Sequence, residues 1–362
     1  MTSNNISQRK VDHLKIALSD QVQIGSAGFK NYSFTHNALP ELNFEDIDTS
    51  TEFLGKKVNY PFFISCMTGG VEKGSIINKN LAIAAQKHKI PMGVGSQRSA
   101  IENPEYAKSY AVVRKYAVDI PVMANVGLVQ LNYGFGLKEI EAIIKMVDAD
   151  ALVFHINPVQ EVIQPEGDRN FGKLIGKLEK IIDKIKVPVI AKEVGFGLSF
   201  EVVEKLYQAG VRIFDTAGWG GTNWAMVEGL REKADLKLAQ LFSNWGIPTT
   251  ESIIQCKKFS DSLQKRTLKL GKSNSNSKSK RREDVVILGS GGVRSGVDVA
   301  KALALGADLA GIAAPFAKKA LVSAHEVEKL ILSYATELRV AMFATGSKNI
   351  KKLKNTRLLK LK

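Results

Sequence analysis

Short apolar or β-branched runs begin at Pro61, Pro91, Pro121 and Ala151, thirty residues apart, and again at Pro188, Arg212, Asp284 and Leu309. Segments with apolar residues at helical spacing separate them, over 76–89, 105–116, 137–147 and 200–209. This alternation is the βα unit, because consecutive parallel strands need a crossover that covers the sheet. Eight repeats predict an α/β fold of the closed (β/α)8, or TIM, barrel type. An open doubly wound sheet is the competing arrangement. Its dinucleotide loop would follow the first strand, where the chain has Met67-Thr68-Gly69-Gly70 and no GxGxxG.

The beat breaks once, before the seventh strand, and the run from Gly271 to Ser279 is almost entirely Ser, Asn and Lys. Such composition cannot bury enough apolar surface to offset the entropy of ordering. A disordered insertion is therefore expected over 261–283, inside a barrel domain of residues 1–347 that carries an N-terminal extension. A basic tail, 348–362, follows. The net charge of +15 is local: residues 265–282 hold eight Lys or Arg and no acid, and 348–362 hold seven and no acid, so the rest of the chain is balanced. These basic segments read as appendages rather than as a nucleic-acid-binding face, which would interleave aromatic residues.

No apolar run approaches the ~20 residues that span a bilayer, and the amino terminus has no signal-peptide core. A cytoplasmic protein without membrane contact is expected. Cys66 and Cys256 are the only cysteines, too few for a disulfide framework, and read as reduced, packed thiols.

In such barrels the active site lies at the carboxyl ends of the strands. The richest end is His155-Ile-Asn-Pro-Val-Gln-Glu-Val-Ile-Gln-Pro-Glu-Gly-Asp168, directly behind the apolar run Ala151-Leu-Val-Phe154. Pro158 should end that strand, leaving Asn157, Gln160 and Glu161 to converge. The other ends are Met67-Thr68-Gly69-Gly70, Gly95-Ser96-Gln97-Arg98, Asn125, Lys192-Glu193, Asp215 with Gly220-Gly-Thr222-Asn223, Gly289-Ser-Gly291-Gly292-Val-Arg294 and Gly311-Ile-Ala313-Ala314.

Glycine-rich loops after strands seven and eight are where barrels bind phosphate, since glycine lets the backbone approach an anion and helix-start amides point at it. A tight turn is the plainer reading of one such loop. Lys192 beside this site would stabilise an anion developing on a ring system, such as a reduced flavin; alternatively it pairs with Glu193 at the rim. His155 reads either as a ligand-binding residue or as a packed core histidine.

The ordered set of Met67-Thr-Gly-Gly70, Gly93-Val-Gly-Ser-Gln-Arg98, the segment from Asn157 to Asp168, Gly220-Gly-Thr-Asn-Trp224 and Gly289-Ser-Gly-Gly-Val-Arg294 resembles the type 2 isopentenyl diphosphate isomerases. These are FMN-dependent barrel enzymes unrelated to the metal-only type 1 isomerases. The resemblance runs from about Arg9 to Lys348. It implies isomerisation of isopentenyl diphosphate to dimethylallyl diphosphate in isoprenoid biosynthesis, by proton transfer, with reduced FMN and Mg2+, NADPH as reductant and a homo-oligomer (tetramer or octamer).

By the same resemblance Met67, Thr68, Gly69, Ser96, Asn125 and Lys192 would line the FMN ring. Thr222, Gly291, Gly292, Arg294, Ala313 and Ala314 would hold its phosphate and surroundings. Arg9, Lys10, Ser96, Gln97, Arg98, His155 and Asn157 would grip the substrate diphosphate, Gln160 would lie against the reacting isoprenoid as the catalytic residue, and Glu161 would bind magnesium. Arg9 and Lys10 read otherwise as a solvated amphipathic arm. At Ala217 some relatives have a serine near the flavin, a hydrogen bond that Thr216 could supply, and Trp219 stands at a variable position close to the cofactor.

A rival reading is an FMN-dependent 2-hydroxy-acid oxidase or dehydrogenase, which needs a histidine base. Of His13, His36, His88, His155 and His325, only His155 ends a strand.

Overall fold

A computed structural model describes residues 12–67, 69–70, 72–231, 234–271 and 285–361, the side chains of 267–271 excepted. Eight parallel strands close into a barrel: β1 (Phe62–Ile64), β2 (Met92–Gly93), β3 (Val122–Gly127), β4 (Ala151–Ile156), β5 (Val189–Glu193), β6 (Ile213–Asp215), β7 (Val286–Ser290) and β8 (Leu309–Ile312). Closure brings β8 back to β1, with Ala310 opposite Phe62, so the sheet has no free edge. This is the (β/α)8 fold expected from the thirty-residue beat.

Side chains alternate across each strand, and the alternation explains where the site sits. One set points into the barrel and packs together as Phe63, Met123, Ala151, Val153, Ile190, Ile213, Leu288 and Leu309. A hairpin of Thr51–Phe53 and Lys56–Val58 adds Phe53 and Val58 to this interior cluster. Two residues further along the strands the same inward rows become Ser65, Asn125, His155, Lys192, Asp215 and Ser290. The barrel is thus apolar below and polar at its carboxyl end.

The outward set, including Ile64, Val122, Leu152, Phe154, Phe214 and Ile287, packs against the helices. These are α1 (Glu72–His88), α2 (Lys108–Tyr116), α3 (Leu137–Met146), α4 (Leu174–Ile182), α5 (Phe200–Gln208), α6 (Thr249–Gly271), α7 (Gly296–Leu305) and α8 (Ala324–Ala344). Each fully buried Leu, Ile or Phe contributes roughly 1.5–3 kcal/mol. Ser295 caps α7 by accepting from the Asp298 amide at 3.0 Å, which fixes the helix start next to the loop after β7.

Two sequence expectations are corrected. Helix α6 runs through 261–271, because Ile253, Cys256 and Phe259 bury one face and Asp261-Ser-Leu-Gln-Lys-Arg continues with helix-forming residues. The remainder of the expected insertion, 272–283, lies outside the described residues. The tail is not an appendage: Ile350 and Leu353 on the short helix Ile350–Lys354 are buried, and Leu358–Lys360 pairs antiparallel with Tyr32–Phe34. Alternate apolar residues among the lysines give the tail a buried side that charge counting overlooks. No helix of the described residues is long and apolar enough to cross a membrane.

Candidate active site

A cavity of about 270 Å3 opens at the carboxyl end of the barrel and is lined by residues from all eight strand ends, β6 contributing through Ala217, Gly218 and Thr222 beyond it. On its floor, His155 Nδ1–H donates to Asn125 Oδ1 at 2.8 Å, leaving Nε2 as an acceptor. Burial, with the charges of Lys192 and Arg98, pushes the imidazole pKa down to about 3. His155 is therefore neutral at physiological pH.

Lys192 is buried, opposite Asp215 in the β5–β6 register. Its Nζ donates to the Glu193 carbonyl at 2.7 Å. The Glu193 carboxylate does not pair with it at the rim; Oε2 accepts from the backbone amides of Val194, Gly195 and Phe196 at 2.5, 2.6 and 2.5 Å. Asp215 accepts from Ser290 Oγ; burial raises its pKa against the opposing effects of Lys192 and Ser290.

Pro158 occupies the first turn of a short helix, Pro158–Ile163, a position where its missing N–H costs nothing. Helical spacing then stacks Gln160 and Glu161 over Asn157. Asn157 Nδ2 donates to Gln160 Oε1 at 3.1 Å and Glu161 Oε1 at 2.8 Å, and the Asp168 amide donates to Glu161 Oε2 at 2.7 Å. Asn157 Oδ1 is buried with no hydrogen-bond partner among the described residues.

The glycine loops interlock. Gly292 has φ +68, and a Cβ there would sit 2.1 Å from the Gly220 carbonyl; Gly291 has φ +106, and its Cβ would meet the Gly218 carbonyl at 2.2 Å. Only glycine permits this packing of the loops after β6 and β7. Beside them Arg294 donates to Gln23 Oε1 at 2.6 Å and to the Val293 carbonyl at 2.9 Å. Partial desolvation by the cavity wall lowers its pKa, and among the described residues it forms no ion pair.

Met67, Gly69, Ser96, Arg98, Asn125, His155, Asn157, Gln160, Glu161, Lys192, Thr222, Gly291, Gly292, Arg294, Ala313 and Ala314 all line this cavity. Arg9, Lys10 and Thr68 lie outside the described residues. Gln97 is corrected: it is fully buried away from the cavity. Its Nε2 donates to the Ile143 carbonyl at 2.9 Å and its Oε1 accepts from the Asn125 amide at 3.0 Å, so it braces β3 against α3. Trp219 is not among the residues lining the cavity, and its Nε1 donates to the Ser243 carbonyl at 2.8 Å. Thr216 cannot readily supply the hydroxyl absent at Ala217, because its own holds β7 through Ser290.

Further residues bear on the site unannounced by any strand end, and of these His13 and Trp224 line the cavity itself. Gln23 Nε2 donates to Thr222 Oγ1 at 3.0 Å, tying the N-terminal extension to the phosphate loops. Glu228 accepts from Gln160 Nε2 at 2.7 Å, lies 2.9 Å from His13 Nε2 and is paired with Arg231 at 2.8 Å. Trp224 meets the His13 ring edge-on, centroids 5.5 Å apart. The signal for Glu228 was proximity: it stands one helical turn beyond Trp224, at the end of a motif already singled out.

The family model described as FMN-dependent dehydrogenase matches residues 3–120 and 275–360. Solved structures share the fold: lactate oxidase of Pediococcus acidilactici, 18% identical over 99% of this chain and 93% of its own with TM-score 0.65, and a flavocytochrome b2 variant, 19% identical over 96% and 82% with TM-score 0.65. Fold and family match together define an FMN-dependent type of (β/α)8 barrel. Curated relatives narrow the class: isopentenyl-diphosphate delta-isomerase of Nostoc sp. is 45% identical, covering 98% of this chain and 96% of its own length, and that of Rickettsia bellii is 42% identical over 97% of each. The chain belongs to the isopentenyl-diphosphate delta-isomerase family.

Proposed function

We propose that the protein isomerises isopentenyl diphosphate to dimethylallyl diphosphate, using FMN in the barrel mouth and Mg2+ at Glu161. The observation that carries the reading is the buried Asn157–Gln160–Glu161 cluster beside Lys192, in a chain 45% identical to a named isomerase.

The residues fit both groups. Arg294 is a cation on the cavity wall with no acid paired to it among the described residues, next to glycine loops that present their backbone, as a phosphate requires. Lys192 would hold the polar edge of the flavin ring. For Mg2+, Glu161 offers a hard carboxylate and Asn157 Oδ1 a buried carbonyl without a partner among the described residues. Among the described residues no three His, Cys, Asp or Glu side chains converge on a metal position, so diphosphate oxygens and water would complete its shell.

Bound and reduced by NADPH or dithionite, FMN supplies acid–base chemistry that shifts a double bond without net redox. Arg98 and neutral His155 would bind the diphosphate. Gln160, which cannot titrate, would orient the reacting carbons while Glu228 holds its amide in place. The weak basicity of His155 argues against its serving as the base of a hydroxy-acid oxidase.

Anaerobic turnover tests the reading. With FMN, Mg2+ and isopentenyl diphosphate, oxidised protein should be inactive and one priming reduction should support many turnovers. Product formed in a fixed one-to-one ratio with reductant consumed, or full activity with oxidised FMN, would refute it.

A further inference from the structure

The loop after the Pro158–Ile163 helix is pressed onto Glu161 from two sides. A Cβ on Gly167 would lie 1.8 Å from the Glu161 carbonyl oxygen, so the backbone touches the helix with no room for a side chain. One residue on, the Asp168 amide donates to Glu161 Oε2 at 2.7 Å. Gly167 N also donates to the Gln164 carbonyl at 3.0 Å, closing the turn.

The side chain of Asp168 faces a different partner set. It is buried, and its Oδ2 accepts both from Arg98 Nη1 and from Gln130 Nε2, the latter at 2.8 Å. Arg98 is also fixed through Nε to Glu102 at 2.7 Å, while its Nη2 has no protein acceptor among the described residues. Asp168 therefore touches, with backbone and side chain respectively, one residue assigned to the metal and one assigned to the diphosphate. A carboxylate that binds a guanidinium and an amide at one oxygen is held tightly, since charge-assisted hydrogen bonds are the stronger class.

We propose that Asp168 is a positioning residue that sets Glu161 and Arg98 in a common frame, so that the metal and diphosphate subsites assemble together. This rests on the reading of Glu161 and Arg98 given above. Asp168 need not touch metal or substrate. Its function is to transmit the position of one subsite to the other through a single rigid loop.

The test uses inorganic pyrophosphate as the probe, titrated calorimetrically into FMN-loaded protein with and without Mg2+, so that it does not depend on turnover. In wild type, Mg2+ should tighten pyrophosphate binding. Asp168→Ala should weaken binding in Mg2+ about tenfold, the order expected for one charge-assisted hydrogen bond. Asp168→Asn keeps an acceptor oxygen but loses the charge, and should weaken it roughly threefold. Neither should alter FMN affinity.

Wild-type pyrophosphate binding in either folded variant would overturn the proposal, and so would a loss of equal size with and without Mg2+, which would confine Asp168 to Arg98 alone. If the alanine variant does not fold, the asparagine variant decides. Wild-type protein that binds pyrophosphate with Mg2+ yet does not isomerise would count against the proposed function and leave the role of Asp168 standing.

Discussion

Gln160 donates through Nε2 to Glu228 Oε1 at 2.7 Å, although the two are 68 residues apart and come from helices following different strands. Burial alone would raise the Glu228 carboxyl, but His13, Gln160 and Arg231 outweigh it and hold the pKa at about 2. The amide of Gln160 is thereby oriented by a permanent anion, its oxygen turned toward Asn157. Glu228→Gln should leave FMN bound and slow turnover about tenfold or more, because one charge-assisted hydrogen bond of this kind is worth roughly 1.5–3 kcal/mol. Steady-state kinetics with isopentenyl diphosphate would check this; an unchanged kcat would disprove a role for Glu228.

The same carboxylate makes stability depend on acid. Its folded pKa, about 2, lies below the ordinary 4.5, so its contribution is complete above pH ~4.5 and is lost as pH falls toward 2. The size is on the order of 3 kcal/mol. Denaturant unfolding between pH 5 and 3 should show a shallower loss in Glu228→Gln than in wild type, and parallel curves would rule the linkage out.

His155 works over a higher window. A neutral histidine with its pKa pushed from 6.5 to about 3 binds fewer protons than the unfolded chain between those values, so it makes stability fall as pH drops below about 6.5. Nitrogen-15 NMR of the ligand-free protein at pH 5 should show a neutral ring protonated on Nδ1. An imidazolium signal there would contradict the Asn125 contact as drawn.

Strand ends were legible because the barrel forces inward side chains into a period of two, and the polar residues that end each row advertise the site. Lys192, Asn125 and His155 could be found this way. Gln97 could not be sorted, since it neighbours Ser96 and Arg98 in sequence but points into the layer between strand and helix, a distinction of one position in the alternation. His13, which lines the cavity, and Glu228 and Gln23, which hold Gln160 and Thr222 from behind it, come from a helix and an N-terminal extension with no fixed place in the βα repeat. Likewise the tail looked solvated because its lysines outnumber the two buried residues that anchor it.

Gly292 offers a test of the phosphate loops that is independent of turnover. At φ +68 any side chain is strained, and a Cβ would strike the Gly220 carbonyl at 2.1 Å. Gly292→Ala should therefore move the loops after β6 and β7 apart and weaken FMN binding by roughly 5- to 150-fold, equivalent to the 1–3 kcal/mol of a strained backbone. Fluorescence titration with FMN would measure it, and wild-type affinity would remove these loops from the cofactor site.

The two basic segments should respond oppositely to deletion. The Ser-, Asn- and Lys-rich composition of 272–283 predicts that a short Gly-Ser linker in its place leaves melting temperature and activity close to wild type, since closure entropy varies slowly with length. Removing 349–362 instead exposes the surfaces covered by Ile350 and Leu353, breaks the pairing with Tyr32–Phe34 and deletes the 2.5 Å contact of Lys354 with Asp308. Burial of the two apolar side chains alone is worth roughly 3–6 kcal/mol as an upper limit, and even a fraction of that lowers the melting temperature by a few degrees. A truncated protein that melts with wild type would show that the carboxyl-terminal strand and helix only rest on the barrel.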